Sequence, residues 1–221
     1  MDYEKIYMGR FELLEKAFHR FVPDQAYETF VEKNKKWLED YSLYMAIKNS
    51  LGGIAWSEWE APLKTRQEAA LEEKRVELKE QMDFICFQQY EFAKQWEKLK
   101  QYANEKGIQI IGDIPIYVAF DSADAWANPE LFQFDENSTP LAVAGCPPDA
   151  FAATGQLWGN PLYRWDYHAQ TGYVWWISRL RHCFTLYDVV RVDHFRGFDE
   201  YYAIPYGDKT AENGVWKRSG N

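Results

Sequence analysis

No run in this sequence stays apolar for the ~20 residues that a membrane-crossing helix requires. The opening Met1-Asp2-Tyr3-Glu4-Lys5 lacks the basic-then-apolar order of a secretion signal. Cysteine is scarce as well. Cys86, Cys146 and Cys183 lie far apart, make no CxxC pair and show no zinc-like spacing with the four histidines. A disulfide scaffold and a structural zinc site are therefore not expected; free thiols in a reducing cytoplasm are. Positive charge is also short. Lys and Arg number 25 against 34 Asp and Glu, a net charge of −9. Nucleic acid and anionic membrane surfaces need clustered cations, so both are poor partners. A neutral substrate is indifferent to this balance. No cofactor or metal is expected.

What is present is aromatic surface: 18% Phe, Trp and Tyr, with 10 Trp and 15 Tyr. Sugar C–H faces stack on such rings, but aromatic residues also fill cores, and composition alone favours the core.

The first hundred residues read as helix. Leu13, Leu14, Ala17, Phe18 and Phe21 recur at helical spacing until Pro23-Asp24 interrupts them, and a second helical stretch spans about 27–51. Gly52-Gly53 and a Trp-rich segment, 54–63, read as loop. From Thr65 to Lys106 there is neither Gly nor Pro, which is long for one globular helix, so a bend or break is expected. Gly107 stands where a helix stop belongs. Ile108-Gln109-Ile110-Ile111-Gly112-Asp113 then reads as a parallel strand buried on both faces and ending in a carboxylate. Residues 118–172 hold five of the nine prolines and little periodicity, the look of a long structured excursion that carries function. Helical spacing resumes at Tyr173, Trp176, Ile177, Leu180 and Phe184. Val189-Val190-Arg191-Val192-Asp193 follows as a second strand, again ending in an acid. Helix, strand and a polar residue at the strand's end is α/β grammar.

Arg191 and Asp193 stand two apart on a strand, so their side chains share a face. A neighbouring guanidinium favours a charged carboxylate, which suits an Asp that attacks carbon. A buried ion pair that only fixes packing is an equal alternative by spacing alone. Asp113 should emerge on the same rim, where parallel α/β folds build active sites. Two acids there fit glycoside chemistry or a divalent metal, although few convergent ligands support the metal. His194 is read as turned from Asp193 or bonded to substrate or backbone. In the excursion, Gly155-Gln156-Leu157-Trp158-Gly159-Asn160-Pro161 places a Trp between glycines, the setting of an exposed ring on a fixed loop, with Gln156 as a hydroxyl partner.

These segments resemble the amylomaltase (4-alpha-glucanotransferase, disproportionating enzyme) family of the α-amylase clan. Gly112-Asp113-Ile114-Pro115-Ile116-Tyr117-Val118 with Asp121 to Trp126 is similar to its third-strand signature. Pro147-Pro148-Asp149 through Tyr163 is similar to its substrate-loop signature, and Arg191-Val192-Asp193-His194-Phe195-Arg196-Gly197-Phe198 to its nucleophile signature. The resemblance implies an α/β fold, part of a (β/α)8 TIM barrel with helical and loop insertions. Residues 1–106 would be an insertion subdomain plus a barrel helix; 107–221 would be barrel strands three and four with a substrate loop at about 118–172. It implies transfer of α-1,4-glucan segments among maltodextrins, amylose or starch-like glucans, with glucose as acceptor. Asp193 would be the nucleophile, Arg191 would hold it ionised, and Asp113 would contact the glucose whose bond breaks. Trp158, Gln156 and Phe151 would line the glucan groove, with His194 beside them. The rivals are an amylase-like hydrolase or branching enzyme, or a non-catalytic glucan-binding fragment. Family chains begin before this one and run past it, so an internal fragment is expected. The family's acid/base Glu lies on a later strand. Only Glu200 and Glu212 follow Asp193, and Glu200 reads as a solvated helix residue. The chain alone is therefore expected to be inactive.

Overall fold

The computed structural model describes residues 3–220. The sequence's break at Pro23-Asp24 separates α1 (Tyr3–Phe18) from α2 (Gln25–Ser50). Asp24 caps α2 by accepting from the Tyr27 amide at 2.9 Å. Then come α3 (Ala61–Lys64), α4 (Glu68–Glu77) and α5 (Lys79–Glu105). The Gly- and Pro-free stretch is thus interrupted at Leu78, as its length requires. Gly107 follows α5 at φ +74°, a left-handed conformation that glycine adopts without steric cost.

The chain divides into two compact units, Met1–Ile54 with Gln67–Leu99, and Ala55–Arg66 with Lys100–Asn221. In the first, α2 buries Leu38, Leu43, Tyr44, Ala46 and Ile47. Phe18, Phe21, Tyr27, Phe84, Phe87 and Tyr90 form a ring cluster with centroids 4.9–6.1 Å apart. Burial there pushes the Tyr27 hydroxyl up to about 12.

The second unit carries β1 (Ile111–Pro115), α6 (Ala123–Ala127), β2 (Ala142–Cys146), β3 (Gln156–Pro161), α7 (Trp165–Gln170), α8 (Val174–Leu186), β4 (Val189–Asp193), β5 (Glu200–Pro205) and β6 (Val215–Arg218). β1 and β4 pair in parallel; β3-β2-β5-β6 form an antiparallel sheet. Val143, Tyr202, Ile204 and Ala211 pack on that sheet.

Four expectations need correction. The first strand starts at Ile111, three residues late, and runs on to Pro115, so Asp113 stands mid-strand rather than at the tip. It is not buried on both faces: Gly112 and Ile114 are covered while Ile111, Asp113 and Pro115 are exposed, because among the described residues β4 is its one strand partner. The Trp-rich segment is not all loop: Trp56–Glu58 forms a short helical turn and α3 begins at Ala61, with Trp56 and Trp59 buried. Trp56 donates from Nε1 to the Phe120 carbonyl at 2.6 Å, and Trp59 meets Trp126 edge-on at 5.5 Å. Finally, Glu200 opens strand β5 and pairs with Arg196 at 2.9 Å, so it is no helix residue. The short turn Phe195–Phe198 ends the helical geometry before it.

Candidate active site

The site begins with a register clamp. The Asp188 amide donates to the Ile110 carbonyl at 2.9 Å, and its carboxylate accepts from the Ile110 amide at 2.8 Å and from Asn104 at 2.8 Å. The Ile110 amide, then Asn104 and Lys100, hold this carboxyl below its usual range. A one-residue slip would turn every side chain to the opposite face, so this clamp decides what β4 presents. In the register it fixes, Asp113 lies opposite Arg191 and Pro115 opposite Asp193.

Strand alternation then puts Asp113, Arg191 and Asp193 on one face. Arg191 bridges the two acids: Nη1 donates to Asp113 Oδ2 at 2.5 Å, and Nη2 donates to Asp193 Oδ1 at 2.7 Å. All three side chains remain more than half exposed. In this chain the pair is therefore not a buried one. Both carboxylates accept from one guanidinium, an arrangement that orients anions rather than proton donors.

His194 follows at φ +53°, so the chain leaves the strand in a left-handed turn and the ring swings aside from Asp193. It meets the Trp158 ring edge-on at 4.9 Å. Burial lowers the imidazole's proton affinity; Asp193 raises it and Arg196 lowers it by smaller amounts. The turn is pinned by Ser219, whose hydroxyl donates to the Gly197 carbonyl at 2.8 Å.

Trp158 stands on strand β3, not on a loop, and is 37% exposed. Its Nε1 donates to Gln156 Oε1 at 3.0 Å, so these neighbours at i and i+2 share a face and one is already spoken for by the other. Phe151 is 99% exposed and makes no ring contact with the others. Its backbone is nevertheless ordered: Asp149 Oδ1 accepts from the Phe151 and Ala152 amides at 2.8 and 2.7 Å. Asp113, Arg191 and Asp193 are thus one group in contact, and Gln156, Trp158 and His194 a second; Phe151 stands apart from both. Tyr117 joins the second group, its ring 6.3 Å from Trp158 and 6.3 Å from His194. Two-residue alternation from Asp113 through Pro115 is the sequence signal that points to it. Among the described residues no group of three or more His, Cys, Asp or Glu could hold a metal ion.

Comparison with known proteins bears on the family. A family model described as 4-alpha-glucanotransferase matches residues 1–221. The 4-alpha-glucanotransferase of Clostridium butyricum is 48% identical over 219 residues, 98% of this chain and 45% of that protein. That of Streptococcus pneumoniae is 51% identical over 220 residues, 98% of this chain and 44% of its own length. The solved amylomaltase from Streptococcus agalactiae, in complex with acarbose, superimposes with a TM-score of 0.93 at 43% identity, covering 99% of this chain and 45% of that one. The chain spans a little under half the length of the relatives it matches. A model match along the whole chain, with relatives at this identity, places the chain in the 4-alpha-glucanotransferase family.

Proposed function

We propose that a protein of the relatives' full length containing this chain transfers α-1,4-glucan segments to maltodextrin or glucose acceptors, with retention. The observation that carries the reading is the Asp113–Arg191–Asp193 bridge on one exposed strand face. Asp193 attacks the anomeric carbon, and the bond to the leaving glucan oxygen breaks. A covalent glycosyl ester forms, and an acceptor hydroxyl later displaces Asp193 from it. Arg191 holds the attacking oxygen in place. Asp113, on the same guanidinium, reaches hydroxyls of the glucose being transferred. Trp158 and Phe151 supply stacking faces for the glucan, and Gln156 and His194 its polar contacts.

The leaving oxygen needs a proton, and neither glutamate that follows Asp193 is free to give it. Glu200 is paired with Arg196, and Glu212 accepts from Thr210 at 2.8 Å. A retaining mechanism needs a second carboxyl to donate that proton and take it back. Glucan binding without turnover is therefore the reading for the 221-residue chain by itself. β1 and β4 fit as neighbouring strands of a (β/α)8 barrel, with 118–172 as its substrate-loop insertion. Three free cysteines support a cytoplasmic setting. No described helix is long and apolar enough to cross a membrane.

The test supplies maltotriose to the full-length protein. Glucose together with a ladder of longer maltodextrins is expected; hydrolysis with no longer product would sink the transfer reading. Asp193→Asn should lower turnover by roughly 10⁴-fold or more while maltodextrin binding survives.

A further inference from the structure

The stretch that follows β1 is held from outside by side chains. Asn160 Nδ2 donates to the Val118 carbonyl at 2.8 Å, and the Tyr163 hydroxyl donates to the Ile116 carbonyl at 2.7 Å. Arg179, on α8, adds a charged grip: Nη2 donates to the Pro115 carbonyl at 2.7 Å and Nη1 to the Ile116 carbonyl at 3.0 Å. Pro115 is the residue paired with Asp193, and Tyr117, two residues on, abuts Trp158 and His194. One guanidinium thus fixes the backbone between the Asp113 side of the site and its aromatic side.

Arg179 is itself braced. Its guanidinium carbon lies 5.5 Å from the Trp175 ring centre and 4.9 Å from that of Trp176. Asp124 feels the same guanidinium: desolvation raises its carboxyl, and Arg179 is the largest influence pulling it back down. A planar fork clamped between rings and aimed at two successive carbonyls has little freedom to wander.

We propose that Arg179 is a positioning residue for glucan transfer, setting the end of β1 so that Asp113 and Tyr117 meet the same substrate as Asp193. It touches no substrate itself and acts through the Pro115 and Ile116 carbonyls. This rests on the transfer reading above. Misplacement of reacting groups by about 1 Å can cost 10²-fold in rate while leaving binding nearly intact. The effect therefore belongs in kcat rather than KM.

Two measurements test it. In the 221-residue chain, amide exchange across 116–118 should quicken about 10-fold in Arg179→Ala, with exchange in α2 unchanged. In the full-length protein with maltotriose, Arg179→Ala should lower kcat about 10- to 100-fold with KM within about threefold, and Arg179→Lys should recover part of the loss. Should Arg179→Ala not fold, Arg179→Lys decides alone: kcat about fivefold lower at an unchanged melting temperature supports positioning. Unaltered exchange across 116–118, or a kcat within twofold of wild type in the folded variant, overturns it. Failure of the wild-type protein to make longer maltodextrins would instead overturn the transfer reading, and the exchange result would still judge the grip of Arg179 on β1.

Discussion

Gly145→Ala offers a sharp test of how the antiparallel sheet positions β3, the strand that carries Gln156 and Trp158. Gly145 lies in β2, paired with Leu157 of β3 on one side and Tyr202 of β5 on the other, where the β2–β3 register shifts. A methyl there would stand 2.1 Å from the Gln156 carbonyl oxygen and 2.4 Å from Ile204 Cδ1, against 3.4 Å or more for ordinary contact. Ile204 can rotate away, but a backbone oxygen inside a ladder cannot. β3 must retreat by roughly 1 Å, which opens its pairing with β2. Overpacking of this kind costs about 1–3 kcal/mol. Weakening one or two ladder bonds adds about 1 kcal/mol each. The expected loss is about 2–5 kcal/mol. Gly159→Ala is the matched control on β3: its methyl meets nothing within 4 Å, so the change pays only for φ +78°, about 1–2 kcal/mol. Urea unfolding of both variants, followed by far-ultraviolet circular dichroism, measures the difference. Gly145→Ala no more damaging than Gly159→Ala would refute the packing argument. Because β3 carries Gln156 and Trp158, the emission of Trp158 should shift in Gly145→Ala even where the fold persists.

Two further outcomes follow from the charges. Arg191→Met should cost under about 1 kcal/mol of stability, since exposed ion pairs contribute little, yet lower transfer by the full-length protein over about 100-fold. A parallel loss in both urea midpoint and rate would contradict this. Acid should also weaken the fold. Burial lowers the proton affinity of His168, which is fully inaccessible and whose Nε2 bonds the Leu131 carbonyl, and of His194. A histidine whose folded value lies below its unfolded ~6.5 binds fewer protons when folded, so its contribution is present above that pH and is lost as pH falls through it. The urea midpoint should therefore drop between pH 7.5 and 6.0, and drop less in His168→Gln; a midpoint that holds or rises on acidification would refute the sign.

How much of this was legible follows from where the information sits. Arg191 and Asp193 share a face by two-residue spacing alone, and the sequence shows it. The strand in which they lie is visible as a β-branched run. That Arg191 also grips Asp113 is invisible, because Asp188 sets the register through a contact with Ile110 across 78 residues. β2 and β3 were equally hidden. Ala-Val-Ala-Gly-Cys and Gln-Leu-Trp-Gly-Asn-Pro carry small residues, Gly and Pro, all poor strand formers by themselves. They become strands because β5 supplies a partner from beyond the nucleophile motif, a case of pairing overriding local preference. The grip of Arg179 on β1 has no local signature, since the carbonyls it holds lie more than 60 residues away. Phe151 is the reverse case: its motif is plain in the sequence, while the structure leaves it in solvent, oriented only by the Asp149 turn.

The same separation explains why the charged group is better understood through chemistry than through folding. An Arg bridging two acids at more than half exposure contributes little to stability, and apolar residues on that face would serve the fold as well. Stability is located elsewhere, in the Asp188 clamp, the ring clusters and the interior of the antiparallel sheet. What the bridge does provide is direction. Two carboxylates on adjacent strands would repel and spread, and one planar fork holds them at fixed positions facing the same way. A pair of oriented anions at an accessible strand face, with a Trp–His edge contact beside it, is a costly thing to retain unless something between them is being handled. Under the glucan-transfer proposal, that something is a sugar ring, attacked by one acid and held by the other.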